Sequence, residues 1–218
     1  MPHLFEPLKL REVTFRNRIG ISPMCQYSSE KGLVNDWHLV HLGARAVGGA
    51  GVVFTEAAAV EARGRISPQD LGIWSDEHIE PLARITRFIA QHGAVPGIQL
   101  AHAGRKASTR RPWEGGGPVP ESEGGWRAVG ASPIAFDKLP VPIELSIEQI
   151  KQVQQAFVAA TKRSLAAGFQ VIELHAAHGY LAHSFYSPLA NRRTDQYGGS
   201  FDNRVRFVLE TASAMREV

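Results

Sequence analysis

The sequence predicts an α/β fold of the (β/α)8, or TIM-barrel, kind, of which this chain supplies roughly the first four strand–helix units. Three observations carry that expectation. Short apolar runs rich in β-branched residues alternate with amphipathic stretches at helical spacing, strand then helix, four times over. Polar residues stand at the C-terminal end of every run: Cys25, Gln26 and Tyr27; Thr55 and Glu56; Gln99 and His102; His175, His178 and Tyr180. A ring of strand ends converging on one mouth produces that distribution. No Gly-x-Gly-x-x-Gly turn follows the first run, so the fingerprint of the doubly wound alternative is missing.

Taken in order, residues 2–18 alternate loosely and are broken by Pro7, which suits a small hairpin or a plug against the bottom of a larger sheet. Arg18 to Cys25 reads as a short buried strand ending at Pro23. Trp37 to Gly48 has helical spacing and stops at Gly48-Gly49. Gly51 to Val60 is a continuous apolar run, as a strand covered on both faces should be. Asp76 to His92 reads as a helix capped by Asp76, with Pro81 early and Gly93 at its end. Val95 to Leu100 is a third strand. Residues 103–145, rich in Gly and Pro, form one long loop excursion, and such loops are commonly functional covers. Ser146-Ile-Glu-Gln149 is a capping box opening a helix that ends at Gly168. Phe169 to Leu174 is the fourth strand, and Phe201 onward the fourth helix. A complete barrel takes about 250 residues. The expectation is therefore one domain over residues 1–218 that is the N-terminal part of a longer barrel.

Composition sets the wider bounds. The chain has 218 residues, 44% hydrophobic and 21% charged, which suits a packed globular domain. No apolar run approaches the roughly 20 residues of a membrane helix. A formal charge of +3 with scattered Lys and Arg argues against nucleic acid as a partner. One cysteine, Cys25, rules out an internal disulfide, and the first residues lack a signal-peptide pattern; both favour the cytoplasm.

The chemistry concentrates where strand four ends. His175 and His178 can share a metal ion, as in a barrel lyase or hydrolase, or can aim two N–H donors at one oxygen. Two such donors stabilise the negative charge that builds on a carbonyl oxygen when a nucleophile adds to a conjugated system. Tyr180 is placed to give a proton. Gln99 offers an amide that suits a ring edge of alternating N–H and C=O groups. Cys25 and Tyr27 put a thiol and a phenol two residues apart. Each also has a plain structural reading: a buried thiol, a rim aromatic, a core histidine. Arg105 and Lys106 read as solvated loop charges.

Four motifs together resemble the old yellow enzyme family of flavin-dependent ene-reductases. They are Arg18 to Tyr27 (RIGISPMCQY), Gln99 to Arg105 (QLAHAGR), His175 to Leu181 (HAAHGYL), and Ser187 to Ser200 (SPLANRRTDQYGGS) followed by Asn203 to Phe207 (NRVRF). The resemblance spans the chain. Cys25 and His178 place it with the cysteine-containing, thermophilic-like branch that includes the xenobiotic reductases; the yeast-type branch has Thr and Asn there.

That resemblance implies a TIM barrel with FMN across its C-terminal mouth and NADPH or NADH as reductant. Pro23, Met24, Cys25, Ala57 and Gln99 would line the flavin, with Gln99 on its pyrimidine edge. Cys25 would tune its redox behaviour, and Tyr27 would border the substrate. His175 and His178 would hold the carbonyl or nitro oxygen of an activated alkene, hydride from flavin N5 would go to its β-carbon, and Tyr180 would protonate its α-carbon. Members commonly form homo-oligomers. In the family the flavin phosphate is gripped by later strands, so a rival expectation is a non-catalytic half-barrel that needs a partner or a further segment to hold FMN.

Overall fold

The computed structural model describes residues 3–218. Its elements are β1 (Leu8–Leu10), β2 (Val13–Phe15), β3 (Gly20–Ile21), α1 (Asp36–Val47), β4 (Val52–Ala59), α2 (Ile79–Gln91) and β5 (Val95–Ala101). They continue through β6 (Val129–Gly130), β7 (Ile143–Glu144), α3 (Ile147–Ala166), β8 (Val171–Leu174), α4 (Leu181–Tyr186) and α5 (Phe201–Arg216). The parallel strands lie in the order β3-β4-β5-β8, each added beside the one before. A doubly wound sheet reverses that order at its switch point, whereas barrel staves follow one another in this way. The sheet and its helices thus form four successive units of a (β/α)8 barrel.

Packing follows from the patterns. β5 has a neighbour on both sides, and all seven of its residues are buried. Leu82, Val153, Phe157 and Phe207, from α2, α3 and α5, share one core with Ile98 and Leu100 of β5. α1 sets Leu42 and Ala46 against Val53, Ile85 and Ile89. Each such side chain contributes roughly 1.5–3 kcal/mol on leaving water. The expected hairpin forms from β1 and β2; the first residue of its expected span, Pro2, lies outside the described residues. Arg16, just past it, donates to the carbonyls of Ala46 (2.8 Å), Ala50 (3.0 Å) and His92 (2.8 Å). Those groups sit where α1 and α2 end and the next strands begin, so the hairpin is tied to the end of the sheet opposite the mouth.

Several boundaries differ from expectation. β3 holds the ladder for two residues only. Pro23 has no N–H to offer a neighbour, and the Gln26 N–H goes instead to the Glu56 carboxylate (2.9 Å). β8 starts at Val171, because the Phe169 N–H still closes the end of α3 on Ser164 O (3.1 Å). Ser75, not Asp76, caps the second helix, through a 3-10 turn at Asp76–His78. Asp76 instead pairs with Arg163 of α3 (2.7 Å). The capping box at Ser146 and Gln149 forms as the pattern predicts. The excursion 103–145 carries three 3-10 turns and the short parallel pair β6–β7. α4 fills part of the stretch between β8 and α5 where no helical period shows in the sequence. α5 ends at Arg216, short of the last residue.

Candidate functional site

The C-terminal ends of β3, β4, β5 and β8 carry the polar residues, and each is held by its neighbours. Beyond β3, Glu56 accepts from the Gln26 N–H through Oε2. Its Oε1 stands 3.2 Å from His38 Nε2. His38 Nδ1 lies against the Asn35 N–H (3.1 Å) and Asn35 Oδ1 (2.9 Å) at the cap of α1, and Nε2 faces Glu56 and Ser29. The segment Pro23–Tyr27 is thus pinned by β4 and α1 while leaving the sheet, and Tyr27 adopts a left-handed φ of 51°. Pro23 is half-buried and Met24 is 48% exposed. Burial, and then the nearby Asp70 and Glu56, push the Cys25 thiol up to about 12, so it stays a thiol. Tyr27 is raised by burial and then by Cys25, Asp70 and Tyr180, which shows that the four share one local field.

On the adjacent strands Ala57 and Gln99 stand opposite each other in register, just past an irregularity between Phe54 and Ala57. Both are buried, and Gln99 Nε2 donates to Glu173 Oε1 of β8 (2.7 Å). His102 serves the scaffold instead of the mouth. Its Nδ1 accepts from the Gly104 N–H and its Nε2 meets Glu61 (3.2 Å). Burial alone would raise Glu61; bonds from His102 and Arg63 outweigh it and hold the carboxyl at about 2.

At β8 the ladder extends one step, with the His175 N–H on Leu100 O (2.9 Å). The Ala177 N–H then donates to His175 Nδ1 (3.2 Å), which leaves the proton on Nε2. Burial, followed by His178, Lys106 and His183, lowers His175 to about 4; at neutral pH it is an uncharged donor. His178 and Gly179 take successive left-handed conformations, φ 58° and 77°. For His178 that costs about 1–3 kcal/mol. Lys106 Nζ holds the turn by donating to His178 O (3.0 Å), and the Gly179 N–H donates to His183 Nδ1 (2.7 Å). The reversal folds three rings together: centroids of His175 and His178 are 5.2 Å apart, and those of His175 and Tyr180 are 5.0 Å apart, all near perpendicular. Burial first, then Cys25 and Asp70, raise Tyr180, which keeps its proton.

Lys106 corrects the reading of a solvated charge. Besides His178 O it faces the rings of Phe136 (4.5 Å) and Tyr180 (4.7 Å). Arg105 is likewise tied down, donating to Ala135 O (3.2 Å) and stacking on Phe136. The excursion leans over this side. Trp113 meets Tyr27 edge-on at 5.7 Å, and a cavity of about 470 Å³ lies between Tyr27, Lys106, Pro112, Phe136 and Leu139. His38 and Asp70 carry no signal in the sequence, and Glu56, a polar residue at a strand end, shows its role only through its contacts with Gln26 and His38. Among the described residues no cluster of three His, Cys, Asp or Glu side chains could hold a metal ion. Among them, too, no helix is long and apolar enough to cross a membrane.

Comparison with known proteins agrees with this fold. The chain is 48% identical over 218 residues to an NADPH dehydrogenase of Bacillus subtilis (strain 168), covering 99% of this chain and 60% of that one. It is 50% identical over 218 residues to the NADH:flavin oxidoreductase FG08077 of Gibberella zeae, covering 98% and 53%. It thus spans between half and two thirds of the length of these curated relatives. Among solved structures, morphinone reductase matches with a TM-score of 0.88 at 27% identity, over 99% of this chain and 59% of that one. Old Yellow Enzyme from Pichia sp. AKU4542 matches at 0.85 and 28%, over 98% and 56%. The model of the NADH:flavin oxidoreductase / NADH oxidase family matches residues 3–218, and the chain belongs to that family.

Proposed function

We propose that the chain forms the floor and the substrate side of an FMN-dependent NAD(P)H oxidoreductase that reduces activated C=C bonds, such as enones or nitroalkenes. The observation that carries this reading is the convergence of His175, His178 and Tyr180 on one side of a mouth whose neighbouring wall is Cys25 and Tyr27. The residues present fit a flavin ring. Ala57 and Gln99, side by side in register, give a floor with one small side chain and one amide. Gln99 spends one N–H on Glu173; among the described residues its Oε1 makes no hydrogen bond, which leaves an acceptor and a second N–H for a pyrimidine edge. Pro23 and the exposed Met24 offer apolar surface beside Cys25.

FMN bound there would supply a hydride to the β-carbon of the alkene after reduction by NADPH or NADH. The chain's own residues do the rest. Neutral His175, with its Nε2–H, and His178 donate to the substrate oxygen and stabilise the charge growing on it. Preorganised donors of this kind are worth ~3 kcal/mol each. Tyr180 gives its proton to the α-carbon, and Tyr27 borders the alkene. Cys25 stays protonated beside the ring and tunes it. In this reading residues 1–218 are one part of a single FMN-binding domain, which works in the cytoplasm as a homo-oligomer.

The test is direct. The purified protein should be yellow, should bleach with NADPH in the absence of oxygen, and should regain its colour when an enone is added. A colourless protein that takes up no FMN would favour the half-barrel that needs further chain or a partner.

A further inference from the structure

Asp70 lies in the connection between β4 and α2, away from the motifs that marked the mouth, yet it reaches the same place. It is 2% exposed. One carboxyl oxygen, Oδ2, accepts from the Ile66 N–H (2.6 Å) and closes the local turn; the other, Oδ1, is buried with no hydrogen-bond partner. A turn-closing residue needs one oxygen, and Asn would serve equally well, so Oδ1 is unexplained by structure alone. Asp70 lines a small cavity with Ala57, Ala59, Ala101 and Tyr180. Its volume, about 10 Å³, matches the roughly 10–15 Å³ that one water occupies.

We propose that the Asp70 carboxyl is the proton reserve for Tyr180, reached through one water in the cavity the two residues line. The inference rests on Tyr180 being the proton donor.

The groups around Asp70 favour its neutral form. Glu56, a carboxylate on β4, repels its charge; Cys25 and Tyr27 from beyond β3 and Tyr180 from beyond β8 face it as uncharged neighbours and give that charge no partner. Arg65 does not neutralise it. That guanidinium donates to Ala62 O (2.8 Å) and Pro68 O (2.9 Å) and stacks between Trp74 and Trp126. Burial first, with Glu56 adding, pushes the carboxyl up to about 8 against the lowering from the Ile66 and Ser67 N–H groups and Arg65. At neutral pH Asp70 therefore carries a proton, and Tyr180, raised above an ordinary tyrosine, takes it downhill once ionised.

The protons balance as follows. The Tyr180 O–H bond breaks as the α-carbon gains hydrogen. The phenolate draws a proton from the cavity water, and the water draws one from Asp70, which becomes a carboxylate. When product leaves and the mouth opens, solvent returns one proton along the same route. The reserve thus lets Tyr180 be restored while substrate still covers it.

The test compares wild type and Asp70→Asn as flavin-loaded protein. Infrared difference spectra with ¹³C-aspartate labelling should show a protonated carboxyl at pH 6.5 that titrates near pH 8 and is absent from the variant. In the variant the alkene half-reaction should slow on the order of tenfold, below the 10²–10⁴ of a direct acid. Its pH inflection should vanish, while flavin reduction by NADPH stays unchanged. A carboxylate at pH 6.5 in wild type overturns the proposal. So does an unchanged alkene half-reaction and pH profile in the variant. If wild type binds flavin but reduces no alkene, Tyr180 is not the donor, and the proposal falls with that reading; alkene reduction with an unmoved profile sinks the reserve alone. Should the variant fail to fold, the wild-type infrared titration must coincide with the inflection of its alkene half-reaction, and a mismatch overturns the proposal.

Discussion

Tyr180 and Arg193 both follow β8, and the two regions they head treat polar side chains in opposite ways. Around Arg193 charge is kept and matched. The guanidinium donates to the buried carbonyls of Ala131 (3.0 Å) and Leu145 (2.7 Å) and to the Asp195 carboxylate (2.6 Å). Asp195 is held below its ordinary range chiefly by Arg193. Tyr197, fully buried, donates to Glu210 (2.8 Å), which also accepts from Lys151 and Gln154. Around Tyr180 the same means, burial and close approach, remove charge: Cys25, Tyr180 and Asp70 are raised, and His175 is lowered. The difference is one of duty. A charge ringed by partners fixes backbone in place, as the stretch from Asn191 to Phe207 must do to carry the chain into α5. An uncharged donor or acid can strengthen its bond, or release its proton, when charge develops on something else.

Removing a single hydroxyl on the mouth side should give the largest effect. Tyr180→Phe should slow the alkene half-reaction roughly 10²–10³-fold, toward the lower end of what a general acid supplies, with thermal stability almost unmoved. Stopped-flow measurement of both half-reactions checks this; an equal loss in flavin reduction would remove Tyr180 from the proton step. The mirror experiment is Arg193→Met. It strands the carbonyls of Ala131 and Leu145, and should cost about 3 kcal/mol of stability in urea unfolding. A loss below ~1 kcal/mol would mean the pair acts like a surface one.

Asp70 sharpens the contrast through pH. Its folded value, near 8, lies above the ordinary carboxyl value of 3.8. Between the two the unfolded chain has released a proton that the folded chain keeps, so Asp70 makes stability fall as pH rises through that window. Asp70→Asn should remove this slope, which is at most ~1.4 kcal/mol per pH unit. Urea midpoints of both proteins at pH 5 and pH 8 decide it, and parallel shifts would mean Asp70 is ionised throughout. The smallest effect is expected at Lys106. Lys106→Met deletes the bond that holds His178 in its left-handed turn, worth about 1 kcal/mol. Enone binding should weaken several-fold while flavin reduction is untouched.

How much of this was legible in the sequence depended on the range of the interaction. α1 and α3 were readable because their stops and caps are local: Gly48, the box of Ser146 with Gln149, and Gly168 at φ 87°. The two-residue β3 was not, because its end is decided by Glu56 reaching across from β4. α4 is six residues closed in by turns, too short to show a period. His175, His178 and Tyr180 could be singled out from spacing alone. Their convergence on one oxygen stood there only beside a shared metal ion, since it needs a histidine in a glycine-like conformation held by Lys106 from the start of the excursion. Asp70 left no trace in the sequence. Its state is set by burial and by Glu56 reaching across from β4.

One measurement bears most directly on the central claim, that this mouth holds a flavin ring and hands its hydride to an alkene beside His175, His178 and Tyr180. It is anaerobic absorbance spectroscopy of the purified protein mixed with FMN, then NADPH, then an enone. The account predicts a bound flavin spectrum, bleaching on NADPH and full recovery on the enone, with recovery slowed in Tyr180→Phe. A flavin that binds and bleaches but is reoxidised by the enone at the same rate in wild type and Tyr180→Phe would contradict it.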